Sequence, residues 1–378
     1  MNWLKDKNQD GKLTVAITVL IASLFVVLVP FYPVTPQSQP QVPTLLPGQS
    51  ATLLADGRWL LVGGESPNGS LRTAAIWNPT TGRTTRLDAG LRDARAWHTA
   101  TVLPDGTILI FGGLSGDNQV MQAAEVYDPS NQTFSVLSPT GLTPRARHTA
   151  TLLTDGRVLV AGGVDAQGAT LDTAELWDFF DSATAVKAEA FTTARKGHSA
   201  SLTADGTVLL KGGTDSNGNV IQDGDLFDPA TGRFTFINGA ALTNPPPTEN
   251  PILVASIPTD SSVDVPIDVT VALRFSKPLR VETVNADTIT LSGPKGVEQI
   301  KVVPAEGGML AFITLEADLL PGVTYNVTVN GVTDPTNVLL PLTSIGFMTA
   351  QDPAAAPCSL EAYIRRTPRH RLAPREAQ

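Results

Sequence analysis

Hydrophobic and polar residues alternate in short runs along most of the chain, and the runs come in sets of four. His148-Thr-Ala-Thr-Leu-Leu153 alternates as a strand, and Asp155-Gly156 supplies the tight hairpin that turns it. Arg157 to Ala161 returns as an apolar second strand, and Gly162-Gly163 ends it where a side chain would obstruct the turn. A looser loop follows, then Thr173 to Asp178 predicts a third strand carrying Trp177. The fourth strand is clearest in the neighbouring units, as Gln132 to Val136 and Arg233 to Ile237.

This unit repeats. Gly-Gly pairs stand at Gly63-Gly64, Gly112-Gly113, Gly162-Gly163 and Gly212-Gly213, at intervals of 49, 50 and 50 residues. Asp-Gly pairs run in step from Asp56-Gly57 to Asp205-Gly206, and an aromatic residue recurs at Trp77, Tyr127, Trp177 and Phe227. His98, His148 and His198 keep the same register, as do Arg95, Arg145 and Arg195. Several independent features in one register predict a repeat architecture of four strands per unit, which is one propeller blade.

The run His-Thr-Ala-Thr-Leu-Leu, Asp-Gly, Val-Leu-Val-Ala-Gly-Gly, Ala-Glu-Leu-Trp-Asp resembles the kelch repeat of bacterial surface proteins and galactose-oxidase-like propellers. The first unit departs from the pattern, with Gln49 for His and Asn78 for Asp, and the third has Phe179 where Pro is expected. The resemblance implies a propeller, and such propellers usually close with more than four blades. Four units leave three possibilities: tight closure, an open arc, or a ring completed by a partner chain.

From Pro251 to Ala350 the pattern changes. Val269–Phe275, Thr288–Leu291, Leu310–Leu315 and Thr324–Val329 read as alternating strands between Pro- and Gly-rich turns, the pattern of a β-sandwich. Pro258 to Val265, Phe275-Ser-Lys-Pro278 and Leu320 to Tyr325 resemble the bacterial Ig-like domain, which implies a spacer or presentation role. Asp334-Pro335-Thr336-Asn337 replaces the Gly-Asn of that family, so this turn is expected to differ.

At the other end, Leu13 to Val29 is an uncharged apolar run preceded by Lys5, Lys7 and Lys12, which predicts a membrane span with the rest exported. An uncleaved anchor and a cleaved signal peptide both remain open. Asp6 to Gly11 imitates half of a calcium loop, but its twelfth position is Ile17, so no calcium is expected. The expected chain is therefore all-β: a stub over 1–12, a transmembrane or signal helix over 13–34, and a Pro-rich linker over 35–48. Four kelch-type blades follow over 49–242, then a linker over 243–250, an Ig-like β-sandwich over 251–350, and an Arg-rich disordered tail over 351–378.

Composition narrows the function. A net charge of −9 argues against nucleic acid, which is bound by neutralising phosphates. The single cysteine, Cys358, forbids an internal disulfide. His98, His148 and His198 could meet at a channel and hold a metal, but a residue explained by the repeat needs no ligand, and no metal or cofactor is expected. Arg95, Arg145 and Arg195 with Glu125, Glu175 and Asp225 read as ion pairs between neighbouring blades. Trp77, Tyr127, Trp177 and Phe227 read as core packing. Galactose-oxidase chemistry needs tyrosines, one of them linked to cysteine; the only tyrosine in the repeats is Tyr127, and Cys358 lies outside them. No Ser-His-Asp set, phosphate loop or carboxylate pair stands out.

The loops after each Gly-Gly are the best binding surface, since loops on a rigid scaffold carry function. They contain Asn68, Asp117, Asn118, Asp165, Gln167, Asp215 and Asn217. The expectation is a non-enzymatic, membrane-anchored surface protein that binds a protein or glycan through these loops, with the Ig-like domain as spacer. The alternatives are a sugar oxidase or epimerase on the same scaffold, and a structural segment of a truncated larger surface protein.

Overall fold

The structure is a computed structural model that describes residues 43–137, 139–179, 185–239 and 250–351. Among these residues no helix is long and apolar enough to cross a membrane. The span expected over 13–34, the calcium-like segment, the 243–249 part of the linker, Cys358 and the tail beyond Gln351 lie outside them.

Each repeat forms one antiparallel four-stranded sheet. The first contains Ser50–Leu53, Trp59–Val62, Ala74–Asn78 and Arg83–Arg86, paired in chain order. The second runs from Thr99–Val102 to Thr133–Leu137, the third from Thr149–Leu152 to Ala185–Lys187, and the fourth from Ser199–Leu202 to Arg233–Ile237. The first strand of each sheet in chain order is the inner one, and inner strands of successive sheets lie side by side.

Hairpin chemistry sets this register. In the second sheet the Asp105 carboxylate accepts the Thr107 N–H at 2.9 Å and the Gly106 N–H reaches the Leu103 carbonyl at 2.9 Å. Gly106 takes φ +84°, which the tight turn requires and a Cβ would oppose. The recurring aromatic sits on the third strand opposite the start of the second: Trp77 faces Trp59, Tyr127 faces Ile108, Trp177 faces Val158 and Phe227 faces Val208. All four are buried, so the aromatic is a core element in every sheet. Phe134 and Phe234 on the fourth strands pack on Tyr127 and Phe227 at ring separations of 4.8 and 4.9 Å.

Residues 250–351 form a sandwich. One sheet holds Leu253–Ile257, Val271–Phe275, Leu310–Leu315 and Ile300–Ala305; the other holds Ser262–Val265, Thr343–Thr349, Thr324–Val329, Ile289–Gly293 and Gly296–Val297. The Tyr325 hydroxyl accepts the Leu320 N–H at 2.9 Å and pins the chain where it enters that strand. At the unusual turn Asn337 adopts φ +65° and donates its N–H to the Asp334 carbonyl, doing the work of the missing glycine.

The sandwich is not a stand-off spacer. Val271, Leu273, Ala311 and Ile313 face its own interior, whereas Ala272, Leu310, Phe312, Val303 and Ala305 join Leu103, Leu152, Leu153 and Leu202 of the repeats in one core. Polar contacts follow the Asp-Gly hairpins around. The Lys301 ammonium donates to the Asp105 carbonyl at 2.5 Å, and Arg274 donates to the Thr154 hydroxyl at 2.9 Å and the Ala204 carbonyl at 3.0 Å. The Glu306 carboxylate accepts the Leu152 N–H at 2.7 Å. One end of the repeat array is thus covered by the Ig-like domain, and the Gly-Gly loops occupy the other.

Candidate functional site

The segment that enters each inner strand builds the end away from the sandwich. Three bonds join it to the preceding sheet, and they recur. The second glycine donates its N–H to the arginine carbonyl, as Gly64 to Arg95, Gly113 to Arg145 and Gly163 to Arg195, at 2.8–3.0 Å. The histidine Nε2 meets the hydroxyl of Ser50, Thr99 or Thr149 at 2.9–3.0 Å. The residue before each histidine donates its N–H to its counterpart one repeat earlier: Trp97 to Gly48, Arg147 to Trp97, Gly197 to Arg147. Gly63, Gly112 and Gly162 fit under this segment; a Cβ on Gly112 would overlap the Arg145 carbonyl oxygen. Gly212 meets no neighbour of this kind.

The arginines pair inside their own repeat rather than across to the next. Arg95 Nη2 lies 2.7 Å from Glu125, Arg145 2.7 Å from Glu175 and Arg195 2.5 Å from Asp225, with each carboxylate on the third strand of the sheet its arginine leads into. Each Arg Nη1 also donates to two carbonyls of that sheet, for Arg145 those of Gly162 and Thr173. The lead-in segment thus gives its arginine carbonyl to the preceding sheet and its guanidinium to its own.

The histidines lie beneath this layer. Burial, aided by Arg95 and Arg195, drives His98 and His198 down to about 3, and burial with Arg145 holds His148 well below its ordinary value. Among the described residues no group of three or more His, Cys, Asp or Glu is placed to hold a metal. The pH consequence has a definite sign. Between pH 6.5 and about 3 the unfolded chain takes up protons that the folded chain refuses, so stability falls as pH falls. Glu306, raised to about 7 by burial, opposes this: folding retains its proton, and its contribution is lost as pH rises from 4.5 through 7. Three imidazoles outweigh one carboxyl, so acidification from pH 6.5 to 4.5 is expected to lower the melting temperature. A flat or rising profile in that window would contradict neutral buried histidines.

The loops after Gly-Gly rise beside this layer. Asn68, Asp117, Asn118, Gln167 and Asn217 are exposed. Asp165 and Asp215 are half-buried and turned inward, each carboxylate accepting N–H groups of its own loop: Gln167 and Ala169 for Asp165, Asn217 and Asn219 for Asp215. Asn118 takes φ +57° at a loop tip. These are turn-forming roles, and the side chains left free to meet a partner are the exposed amides and Asp117.

Trp97 and Arg147 are functional candidates that the sequence pattern does not single out. Both take positive φ, +60° and +57°, at the position where Gly48 and Gly197 stand in the outer repeats. The Trp97 indole N–H donates to Glu65 at 2.7 Å, and the exposed Arg147 guanidinium stacks 3.9 Å over its ring. The available signal was variation: this position reads Gly, Trp, Arg, Gly among neighbours that repeat.

A concavity of about 260 Å³ lies at the seam with the sandwich, lined by Leu54, Tyr127, Lys301 and Val303 with Asp56 and Arg58. Its charged groups are already engaged, Arg58 with Asp56 at 2.6 Å and Lys301 with the Asp105 carbonyl.

The family comparisons agree with the fold. The KLHDC2/KLHL20/DRC7 Kelch-repeats domain matches residues 37–256, and the bacterial Ig-like domain matches residues 247–349. No curated protein matches the sequence. Among solved structures the chain is similar to a fungal alcohol oxidase of the AA5 family in complex with copper. That likeness has 13% identity over 80% of this chain and 85% of that one, with a TM-score of 0.40. The kelch-repeat and Ig-like domains together suggest a binding or scaffold protein. The chain belongs to the KLHDC2/KLHL20/DRC7 Kelch-repeats family and carries a bacterial Ig-like domain behind its repeats.

Proposed function

We propose that the chain is a non-enzymatic binding module, exported and held at a membrane by its apolar N-terminal run, that captures a protein partner on its Gly-Gly loop end. The observation that carries this reading is the pair Trp97 and Arg147. A bulky residue at positive φ costs about 1–3 kcal/mol, and such strain gathers where a side chain has work to do. Glycine meets the same backbone requirement at Gly48 and Gly197 without that cost. Folding alone would favour glycine at 97 and 147, so the aromatic and the guanidinium are retained for what they contact. Tryptophan and arginine are also the residues that dominate protein interfaces. The opposite end is covered by the sandwich, which leaves this end for the partner. The export reading rests on the run Leu13 to Val29 with lysines on its N-terminal side.

The test is Trp97→Gly. Relief of backbone strain offsets the lost side-chain contacts, so the melting temperature is expected to stay within about 1 kcal/mol equivalent of the parent. Binding to the proteins retained from an array of extracytoplasmic proteins is expected to weaken at least tenfold. Undiminished binding by the variant, glycan-only binding, or turnover of a sugar by the parent protein would sink the reading.

A further inference from the structure

Among the described residues the fourth sheet ends the array, and there the bonds that a following repeat supplies to the other three sheets have no partner. In the first three sheets the second glycine donates to an arginine carbonyl, but the Gly213 N–H has no partner among the described residues. The strand hydroxyl that meets a histidine in the earlier sheets is here Ser199, which turns back to the Lys211 carbonyl of its own sheet at 3.2 Å. Gly48, Trp97 and Arg147 each offer a carbonyl to the following repeat, whereas the exposed Gly197 carbonyl receives none among the described residues. Burial changes with them. The Gly-Gly pair is buried in sheets one to three and half-buried at Gly212-Gly213, and Thr52, Thr101 and Thr151 are buried where Ser201 is exposed. The backbone is unchanged, with Gly212 at φ +71° and Gly213 at +82°, so the acceptor geometry is already formed.

The first sheet cannot fill this face from a second copy. Where an incoming repeat carries arginine, histidine and an acidic partner, the first repeat has Leu46, Gln49 and Ala75. The Gln49 side chain is spent locally, on the Leu46 N–H and the Gly63 carbonyl. The first repeat is a terminus, and the fourth is built like an interior member.

We propose that the exposed face of the fourth sheet is a docking site for a further kelch-type unit of another polypeptide, one that enters with an Arg-x-x-His segment and an inner strand. It would continue the interface already made three times within this chain, supplying an arginine carbonyl to Gly213, an imidazole to Ser199 and an N–H to the Gly197 carbonyl.

A synthetic peptide of residues 142–153 carries such a segment and strand and serves as the probe, with fluorescence anisotropy against the full chain as readout. Saturable binding is expected. It should weaken at least tenfold when the peptide carries His148→Ala, and at least tenfold when the full chain carries Ser199→Trp, an exposed position whose change is expected to leave the circular dichroism intact. Absence of saturable binding, or binding indifferent to both changes, overturns the proposal. A concentration-dependent dimer of the full chain that Ser199→Trp dissolves also overturns it and assigns the face to a second copy.

Discussion

Arg145→Ala is expected to destabilise the protein by about 3–5 kcal/mol, the range for breaking a buried ion pair by removing one partner. Arg145 and Glu175 are both buried, 2.7 Å apart. Removing the guanidinium also strips the Gly162 and Thr173 carbonyls of a donor. It leaves the Glu175 carboxylate buried with only the Thr143 N–H and hydroxyl for company. The first repeat shows that the fold does not need the pair as such. Leu46 and Ala75 occupy the equivalent positions, and Gln49 takes over the bond to the Gly63 carbonyl. The double change Arg145→Leu with Glu175→Ala is therefore expected to recover part of the loss. Chemical denaturation of the two single variants and the double variant measures the coupling. A double variant as unstable as the sum of the singles would show that the carbonyl bonds, not the ion pair, hold the segment.

Much of this fold is legible in the sequence because the repeat prints the same local rules four times. Asp-Gly marks the hairpins, the alternation marks the strands, and the aromatic every repeat marks the core, since each depends only on residues within one sheet. The partners of the arginines are less legible. The pattern names an acidic residue in each of the last three repeats, but whether Glu125 or Glu175 lies nearer Arg145 depends on which sheet the lead-in segment joins, which is a tertiary fact. Trp97 is invisible for a related reason: its backbone angle, its bond to Glu65 and its stack with Arg147 draw on three separate segments. The role of the Ig-like domain had a signal that the alternating pattern masks. Leu310-Ala-Phe-Ile313 is a continuous apolar run, and an unbroken run means a strand covered on both faces.

Phe312→Ala tests that covering directly, with an expected cost of about 3–5 kcal/mol. Phe312 belongs to the sandwich by chain position and to the repeats by packing, fully buried in a core shared with Leu152, Leu153 and Leu202. The residues beside it, Ala311 and Ile313, point into the sandwich instead, so one strand serves two cores. The distribution of tryptophan makes the two readable apart: Trp59, Trp77, Trp97 and Trp177 lie in the repeats, and the sandwich has none. Were the sandwich an independent spacer, a change in it would leave the tryptophan unfolding midpoint where it was. With a shared core, Phe312→Ala is expected to lower that midpoint in urea, in step with the loss of far-ultraviolet circular dichroism. The lost transfer energy, and the cavity left behind, fall on the inner strands of sheets two to four as much as on the domain that carries the mutation. A tryptophan midpoint unmoved by the substitution would return the Ig-like domain to the role of a tethered neighbour.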